Sequence, residues 1–324
     1  MLTATSLLPL AVGPAMSASG GFASLPGVFP LLIARLIADP DSISEKLDRV
    51  RAELADRGLG VAGAAMLDTC GQVLEIVSPD SDAAAMREVL GAHFAPSDLL
   101  VADHEPQVPR LFVSDMDSTM IGQECIDELA DFAGIRHHIA AITERAMQGE
   151  LDFESALRER VLLLRDLTES AILECLDTRI SPMPGAITLV ATLRALGCRC
   201  VLVTGGFHQF ADPVAELLGF DHVVANRLEI VGGVLTGGLV GPITDSSVKR
   251  ATLLAEMAGL GEGATSLASG DGANDVPMLE AATYGIAYRA KPRARAAADG
   301  WVDRGDLTAV LRLLGIAESE WVRG

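Results

Sequence analysis

Positive charge is what this 324-residue chain has least of: 25 lysines and arginines face 44 aspartates and glutamates, for a net charge of −19. Such a field repels nucleic acid and anionic membrane surfaces, so neither is expected as a partner. It repels a small anion as well, so any anion site must be built locally from basic residues, backbone N–H groups or a metal ion. Aromatic residues make up only 4% of the chain, and the Ala, Leu, Val and Gly that dominate suit helices packed on a parallel sheet. The five cysteines (Cys70, Cys125, Cys175, Cys198 and Cys200) are odd in number and lack CxxC spacing. Reduced thiols in a cytoplasmic protein account for them. No apolar run approaches the roughly 20 residues that span a bilayer. No Lys or Arg precedes Arg35, so the apolar start lacks the positive opening of a secretory signal. It reads as a flexible tail over residues 1–24.

What the chain does have is a short apolar run, Leu111 to Ser114, that ends abruptly in Asp115, Asp117, Ser118 and Thr119. A strand buried on both faces needs no polar alternation, and open α/β sheets place ligands at the carboxyl ends of such strands. Two carboxylates so close repel each other unless a cation or a shared proton intervenes. Mg²⁺, a hard ion that prefers oxygen, would serve. A strand end followed by an ordinary Asp/Ser turn explains the same residues, so this stretch alone leaves both open.

Ahead of it, residues 25–105 read as a small βαββαβ unit of ferredoxin-like order. Strand LLIARLI comes first, then a helix opened by Ser42 or Ser44 and closed by Gly58. A hairpin turning near Asp68 to Gly71, a helix from Asp82 to His93 and a strand near Leu99 to Ala102 follow. This unit carries no cluster of catalytic residue types, and packing or dimerisation is its expected role. Residues 106–324 form the second unit. After Thr119 the pattern is helical to about residue 195, and α/β alternation then resumes. That alternation implies an α/β fold with a doubly wound parallel sheet. The helical block inserted after its first strand, at about 120–195, is expected to act as a cap. Pro213 is expected to interrupt the helix FADPVAELLG near its start.

Three strand ends carry polar residues: Asp115 with Asp117, Thr204 with Gly205 and Gly206, and Asp271 with Asn274 and Asp275. Glycine lets backbone N–H groups approach an anion, and the helix N-terminus that follows favours negative charge. Together they could supply a nucleophile, a phosphate cradle and a metal-binding carboxylate on one rim. Arg160 falls in the apolar face of Phe153, Ala156, Leu157, Val161 and Leu164. It either faces inward toward a carboxylate or phosphate or snorkels to the edge. Lys249 is by default a surface lysine, and Glu124 by default suits the first turn of its helix.

DMDST, the later TGGF, Lys249 and GDGANDVPML together resemble the haloacid dehalogenase superfamily. QECIDELADFAG, ITERAMQGELDFESALRERVLLL, ANRLEI and GDGANDVPMLEAA are similar, more narrowly, to the phosphoserine phosphatases within it, over nearly all of residues 110–315. The resemblance implies Asp115 as nucleophile and Asp117 as general acid and base. It implies Mg²⁺ on Asp115, Asp271 and the backbone carbonyl of Asp117, with Asp275 orienting the metal site or Lys249. Thr204, Gly205, Lys249 and Asn274 would hold the phosphoryl group. Glu124 would take an ammonium, Arg160 a carboxylate, and Phe153 and Met147 would line the lid. Thr204 stands where the family usually has serine; the hydroxyl is kept. The N-terminal unit is similar in outline to ACT-like domains. The implied activity is Mg²⁺-dependent hydrolysis of O-phospho-L-serine, the last step of serine biosynthesis. A related small-metabolite phosphatase, a transferase passing phosphate to homoserine, and a non-catalytic sensor of phosphate or serine are its rivals. A homodimer through the N-terminal unit remains open.

Overall fold

A computed structural model describes residues 31–147 and 150–323, so the tail expected over 1–24 lies outside the described residues. The first unit comprises β1 (Leu32–Ile37), α1 (Ile43–Asp56), β2 (Gly63–Met66), β3 (Leu74–Ser78), α2 (Ala83–Phe94) and β4 (Asp98–Ala102). Its strands lie in the order β2-β3-β1-β4, every neighbour antiparallel. Helix α1 continues a 3₁₀ turn, Pro40–Ser42, in which the Asp39 carboxylate accepts the Asp41 N–H. Ser44 is therefore inside the helix, and the cap lies upstream of both serines expected to supply it.

The chain continues through β5 (Leu111–Ser114) into four helices, α3 (Cys125–Phe132), α4 (Arg136–Met147), α5 (Phe153–Leu162) and α6 (Glu169–Arg179). Then come α7 (Ala186–Ala195), β6 (Arg199–Phe207), α8 (His208–Leu218) and β7 (His222–Asn226). A separate hairpin, β8 (Leu228–Val231) and β9 (Val234–Leu239), precedes α9 (Ser246–Ala258) and β10 (Ser266–Gly270). The remainder is α10 (Val276–Leu279), β11 (Tyr284–Tyr288), α11 (Pro292–Ala297), β12 (Gly300–Val302) and α12 (Thr308–Leu313). Strands β12-β11-β10-β5-β6-β7 are all parallel. Pro213 does not break α8, which starts two residues earlier than expected and runs through it. Proline removes only the hydrogen bond to the Gln209 carbonyl. Burial of Phe210, Ala211, Val214 and Leu218 carries the helix past that point.

All ten of these strands belong to one sheet, because β12 pairs antiparallel with β4. The join depends on Gly300, where a β-carbon would sit 2.0 Å from the Leu99 carbonyl oxygen. Asp98 reinforces it by accepting the N–H groups of Asp303, Arg304 and Gly305. Core residues consequently sort by sheet face, as alternation along strands requires. Phe112, Leu202, Leu267, Ile286 and Leu100 pack on one face with α7, α8 and α12. Val113, Val203, Ala268, Ala287 and Leu99 pack on the other with α1, α2 and α10. Both cores cross the 105/106 boundary expected from sequence. Among the described residues no helix is long and apolar enough to cross a membrane. All five cysteines are free and buried.

Candidate active site

The parallel strands change direction of succession between β5 and β10: β6 and β7 follow to one side, β10, β11 and β12 to the other. A crevice opens outside the carboxyl ends of strands at such a point. There lies a cavity of about 360 Å³. Its floor holds Asp115, Asp117, Thr204, Gly205, Asp271 and Asn274, and α3 to α5 bring Ile126, Thr143, Phe153, Leu157 and Arg160 over it. Three loops distant in sequence thus meet with one helical layer. A second groove, of about 280 Å³ between Ile121, Leu176, Pro182 and Leu217, is mainly apolar and does not include these carboxylates.

Asp115 follows the fully buried run of β5 and is itself 4% exposed. Its Oδ1 accepts the Met116 N–H at 2.8 Å, and its Oδ2 lies 2.7 Å from Lys249 Nζ. Lys249 is 1% exposed and reaches Asp275 Oδ1 at 2.7 Å as well. The surface-lysine alternative is therefore excluded: this ammonium bridges two buried carboxylates. Burial works against its charge, but Asp115 and Asp275 outweigh burial and raise its pKa. Burial first, then repulsion from Asp275, pushes the Asp115 carboxyl well above its ordinary range, with Lys249 opposing. Asp275 Oδ2 accepts the N–H groups of Asp271 and Gly272, at 3.1 and 3.0 Å. Only a glycine at 270 permits this fold-back, since a β-carbon there would lie 2.3 Å from Asp275 Cγ.

Carboxylate oxygens of Asp115, Asp271 and Asp275 lie within 4.8 Å of one another. An all-oxygen set suits a hard divalent cation. Asp115 and Asp271 line the cavity whereas Asp275 lies behind it, tied to Lys249 and to two backbone N–H groups, so the first two are better placed to coordinate and Asp275 to orient. Asp117 sits beside them in a tight turn where Thr119, Met120 and Ile121 N–H groups converge on the Met116 carbonyl. Ser118 closes that turn at φ 56°, a left-handed conformation that costs a non-glycine residue energy and recurs at functional sites. Asp117 Oδ1 is buried without a hydrogen-bond partner. Burial, followed by repulsion from Glu124, lifts the Asp117 carboxyl to about 7.

That elevation has a sign for stability. Between the ordinary aspartate value and about 7, the folded protein holds a proton that the unfolded chain releases. In metal-free protein the contribution of Asp117 to stability is therefore present at low pH and is lost as pH rises through about 7. Urea unfolding in EDTA should show wild-type protein losing stability from pH 5 to 8, and Asp117→Asn losing less. Parallel curves for the two proteins would rule out the elevated carboxyl.

Thr204 is 1% exposed and its Oγ1 accepts the Gly206 N–H at 2.9 Å. The Phe153 ring covers Gly205 closely enough that a β-carbon there would meet Cζ at 3.4 Å. Arg160 is half-buried on the cavity wall. Its Nε donates to the Ala156 carbonyl, and no carboxylate among the described residues lies within ion-pair distance. It faces the cavity without a direct ion pair, drawn only from a distance by Asp127 and Glu124. Glu124 caps α3 at the mouth and accepts from Ser118 Oγ at 2.8 Å. The side chain of Met147 lies outside the described residues.

One contributor escaped sequence reasoning. Lys291, at the N-terminus of α11 beyond β11, lines the cavity and lies 3.2 Å from Asp271 Oδ2. It marks a fourth strand end. The chain contains only three lysines, Lys46, Lys249 and Lys291, and two of them stand at this rim of an acidic protein. That scarcity is the signal that could have found it.

Comparison with known proteins gives the chain a family and relatives. The family of haloacid dehalogenase-like hydrolases matches residues 112–280. The chain is 46% identical over 213 residues to phosphoserine phosphatase SerB2 of Mycobacterium tuberculosis, a match covering 65% of this chain and 52% of that protein. It thus spans about half the length of that relative. Among solved structures, the unliganded probable phosphoserine phosphatase from Vibrio cholerae superposes with a TM-score of 0.69 at 33% identity. That match covers 90% of this chain and 88% of that one. A phospho-aspartyl intermediate analogue of a phosphoserine phosphatase superposes at 0.57 with 36% identity, over 63% of this chain and 98% of that one.

Proposed function

Because the chain belongs to the haloacid dehalogenase-like hydrolases, we propose that it hydrolyses O-phospho-L-serine to L-serine and phosphate through an aspartyl-phosphate on Asp115. The observation that carries this reading is that Asp115, bridged through buried Lys249 to Asp275, shares one cavity with Glu124 and with an Arg160 that has no ion-pair partner among the described residues. The similarity to phosphoserine phosphatases, one of them solved as a phospho-aspartyl analogue, supports it.

The Asp115 carboxylate attacks phosphorus, forming an oxygen–phosphorus bond as the bond to the serine oxygen breaks. Asp117, whose carboxyl burial lifts to about 7 in the metal-free protein, gives its proton to that oxygen. It then takes a proton from the water that attacks phosphorus, freeing phosphate and restoring Asp115. Lys249, the Thr204 hydroxyl, the Gly205 backbone and Asn274 hold the phosphoryl oxygens. Mg²⁺ would be held by Asp115, Asp271 and the Asp117 backbone carbonyl, with Asp275 orienting the set, and would neutralise charge on the transferred group. Glu124 binds the substrate ammonium and Arg160 its carboxylate. Phosphate release from a panel of phosphorylated metabolites, with Mg²⁺ and with EDTA, tests the whole; no preference for O-phospho-L-serine sinks it.

Arg160 offers a sharper check. A hydrogen-bonded charge pair contributes about 1.5–3 kcal/mol, so Arg160→Ala should raise KM for phosphoserine roughly 10- to 100-fold. O-phosphoethanolamine, which keeps the ammonium but lacks the carboxylate, should be affected less than about twofold. Equal losses on both substrates would remove Arg160 from carboxylate recognition.

Helices α3 to α6 act in this scheme as a cap that excludes bulk water during the first step. The β8–β9 hairpin ties into them, with Asp166 N–H donating to the Leu235 carbonyl and Glu169 N–H to that of Gly233. For the expected unit 25–105 we propose a ferredoxin-like, ACT-like fold, an assignment supported over the described residues 31–105 by the strand order β2-β3-β1-β4.

A further inference from the structure

On the phosphoryl-binding role given above to Thr204 and Gly205, we propose that Asn226 is the positioning residue that fixes the polarity of the phosphoryl cradle. Strand β6 pairs with β7 at Val203↔Val224 and next at Phe207↔Asn226, so Thr204, Gly205 and Gly206 bulge out of the ladder. A bulge leaves its backbone groups without ladder partners. The Gly205 carbonyl finds one in the side chain of Asn226, whose Nδ2 donates to it at 2.8 Å. Asn226 is 2% exposed. Its amide orientation is fixed from both sides, since Oδ1 accepts the Thr244 N–H at 2.9 Å while Nδ2 also reaches the Thr244 carbonyl at 3.4 Å.

The consequence follows from the planarity of the peptide. In a trans peptide the C=O and the N–H point in opposite directions. With the Gly205 carbonyl turned to Asn226, the Gly206 N–H of the same peptide points to Thr204 Oγ1, 2.9 Å away. Thr204 Oγ1 is thereby engaged as an acceptor, and its own proton is left to donate to a phosphoryl oxygen. Glycine on both sides makes this peptide cheap to flip. Flipped, it would turn the Gly205 carbonyl oxygen toward Thr204 Oγ1, where it would accept the hydroxyl proton that is otherwise free to donate to a phosphoryl oxygen. Asn226 does not line the cavity, yet it holds the one peptide whose reversal would take the Thr204 hydroxyl away from the phosphoryl group.

Asn226→Asp keeps the acceptor for Thr244 N–H and removes the donor, setting a carboxylate against the Gly205 carbonyl. In the Mg²⁺-loaded enzyme, inhibition constants are read for inorganic phosphate and for L-serine, the two products. Asn226→Asp should weaken phosphate inhibition at least tenfold and leave L-serine inhibition within twofold. Asn226→Ala, which introduces no buried charge, should shift phosphate in the same direction by a smaller factor. In a Thr204→Ala background the loss caused by Asn226→Asp should shrink below threefold, because both changes act on one contact. Unchanged phosphate inhibition in both Asn226 variants, equal losses for phosphate and L-serine, or an undiminished loss in the Thr204→Ala background would each overturn the role of Asn226. Thr204→Ala alone leaving phosphate inhibition unchanged would instead overturn the phosphoryl-binding role of Thr204 on which it rests.

Discussion

Asp115→Asn is expected to abolish turnover of O-phospho-L-serine, by roughly 10⁴-fold or more, while the protein stays folded. A missing nucleophile cannot be compensated by the groups around it, and losses of this order accompany nucleophile removal elsewhere. Asparagine matches the shape of aspartate and retains an oxygen that can accept the Met116 N–H. It removes a negative charge from a place where burial and Asp275 already disfavour it, and Lys249 keeps Asp275 as partner. Metal-free Asp115→Asn protein should therefore unfold at a denaturant midpoint no lower than wild type by more than a small margin. Rapid-quench experiments with labelled substrate should trap phosphoenzyme in wild type and none in the variant. Residual activity within about tenfold of wild type, with phosphoenzyme still trapped, would move the nucleophile elsewhere.

The floor of the site was legible in the sequence because parallel strands announce themselves as apolar runs, and their polar ends fall on one edge by topology alone. Asp115, Thr204 and Asp271 needed no tertiary information beyond that. Arg160 was half-legible: its position in an apolar face left two orientations, and only the converging helices decided between them. Lys249 was legible only through the family resemblance, since the two aspartates it joins lie 134 residues before it and 26 after it in the chain. Asn226 was hidden for a different reason. Its partner is a backbone carbonyl freed by a bulge, and neither feature leaves a periodic trace. The β4–β12 pairing was equally silent, because strand adjacency across a long separation is a property of register. Gly300 records it only as a glycine among 32. Local signals also misled where packing could override them, as at Pro213.

Lys249→Met should separate the structural part of the site from the chemical part more cleanly than any other change. Methionine fills similar volume without charge, and a buried pair broken on one side typically costs about 3–5 kcal/mol, because the remaining charge is left uncompensated. Here two carboxylates, Asp115 and Asp275, lose the ammonium that stood 2.7 Å from each. In metal-free protein at pH 8 the variant should be destabilised by about that amount in urea unfolding. The deficit should narrow at pH 5, since a proton taken up by Asp115, whose carboxyl already resists ionisation, replaces the missing positive charge. A divalent cation coordinated by Asp115 and Asp271 should narrow it further at pH 8 for the same electrostatic reason. Turnover should not return with stability. The metal and the proton can relieve repulsion between carboxylates, but neither reproduces a cation fixed beside the phosphoryl oxygens, and a loss of roughly 10³-fold in kcat is expected to persist in saturating Mg²⁺. If stability in EDTA at pH 8 is unchanged, Lys249 does not hold the two carboxylates together. If Mg²⁺ restores stability and turnover alike, Lys249 is only a structural counter-charge and has no part in phosphoryl transfer.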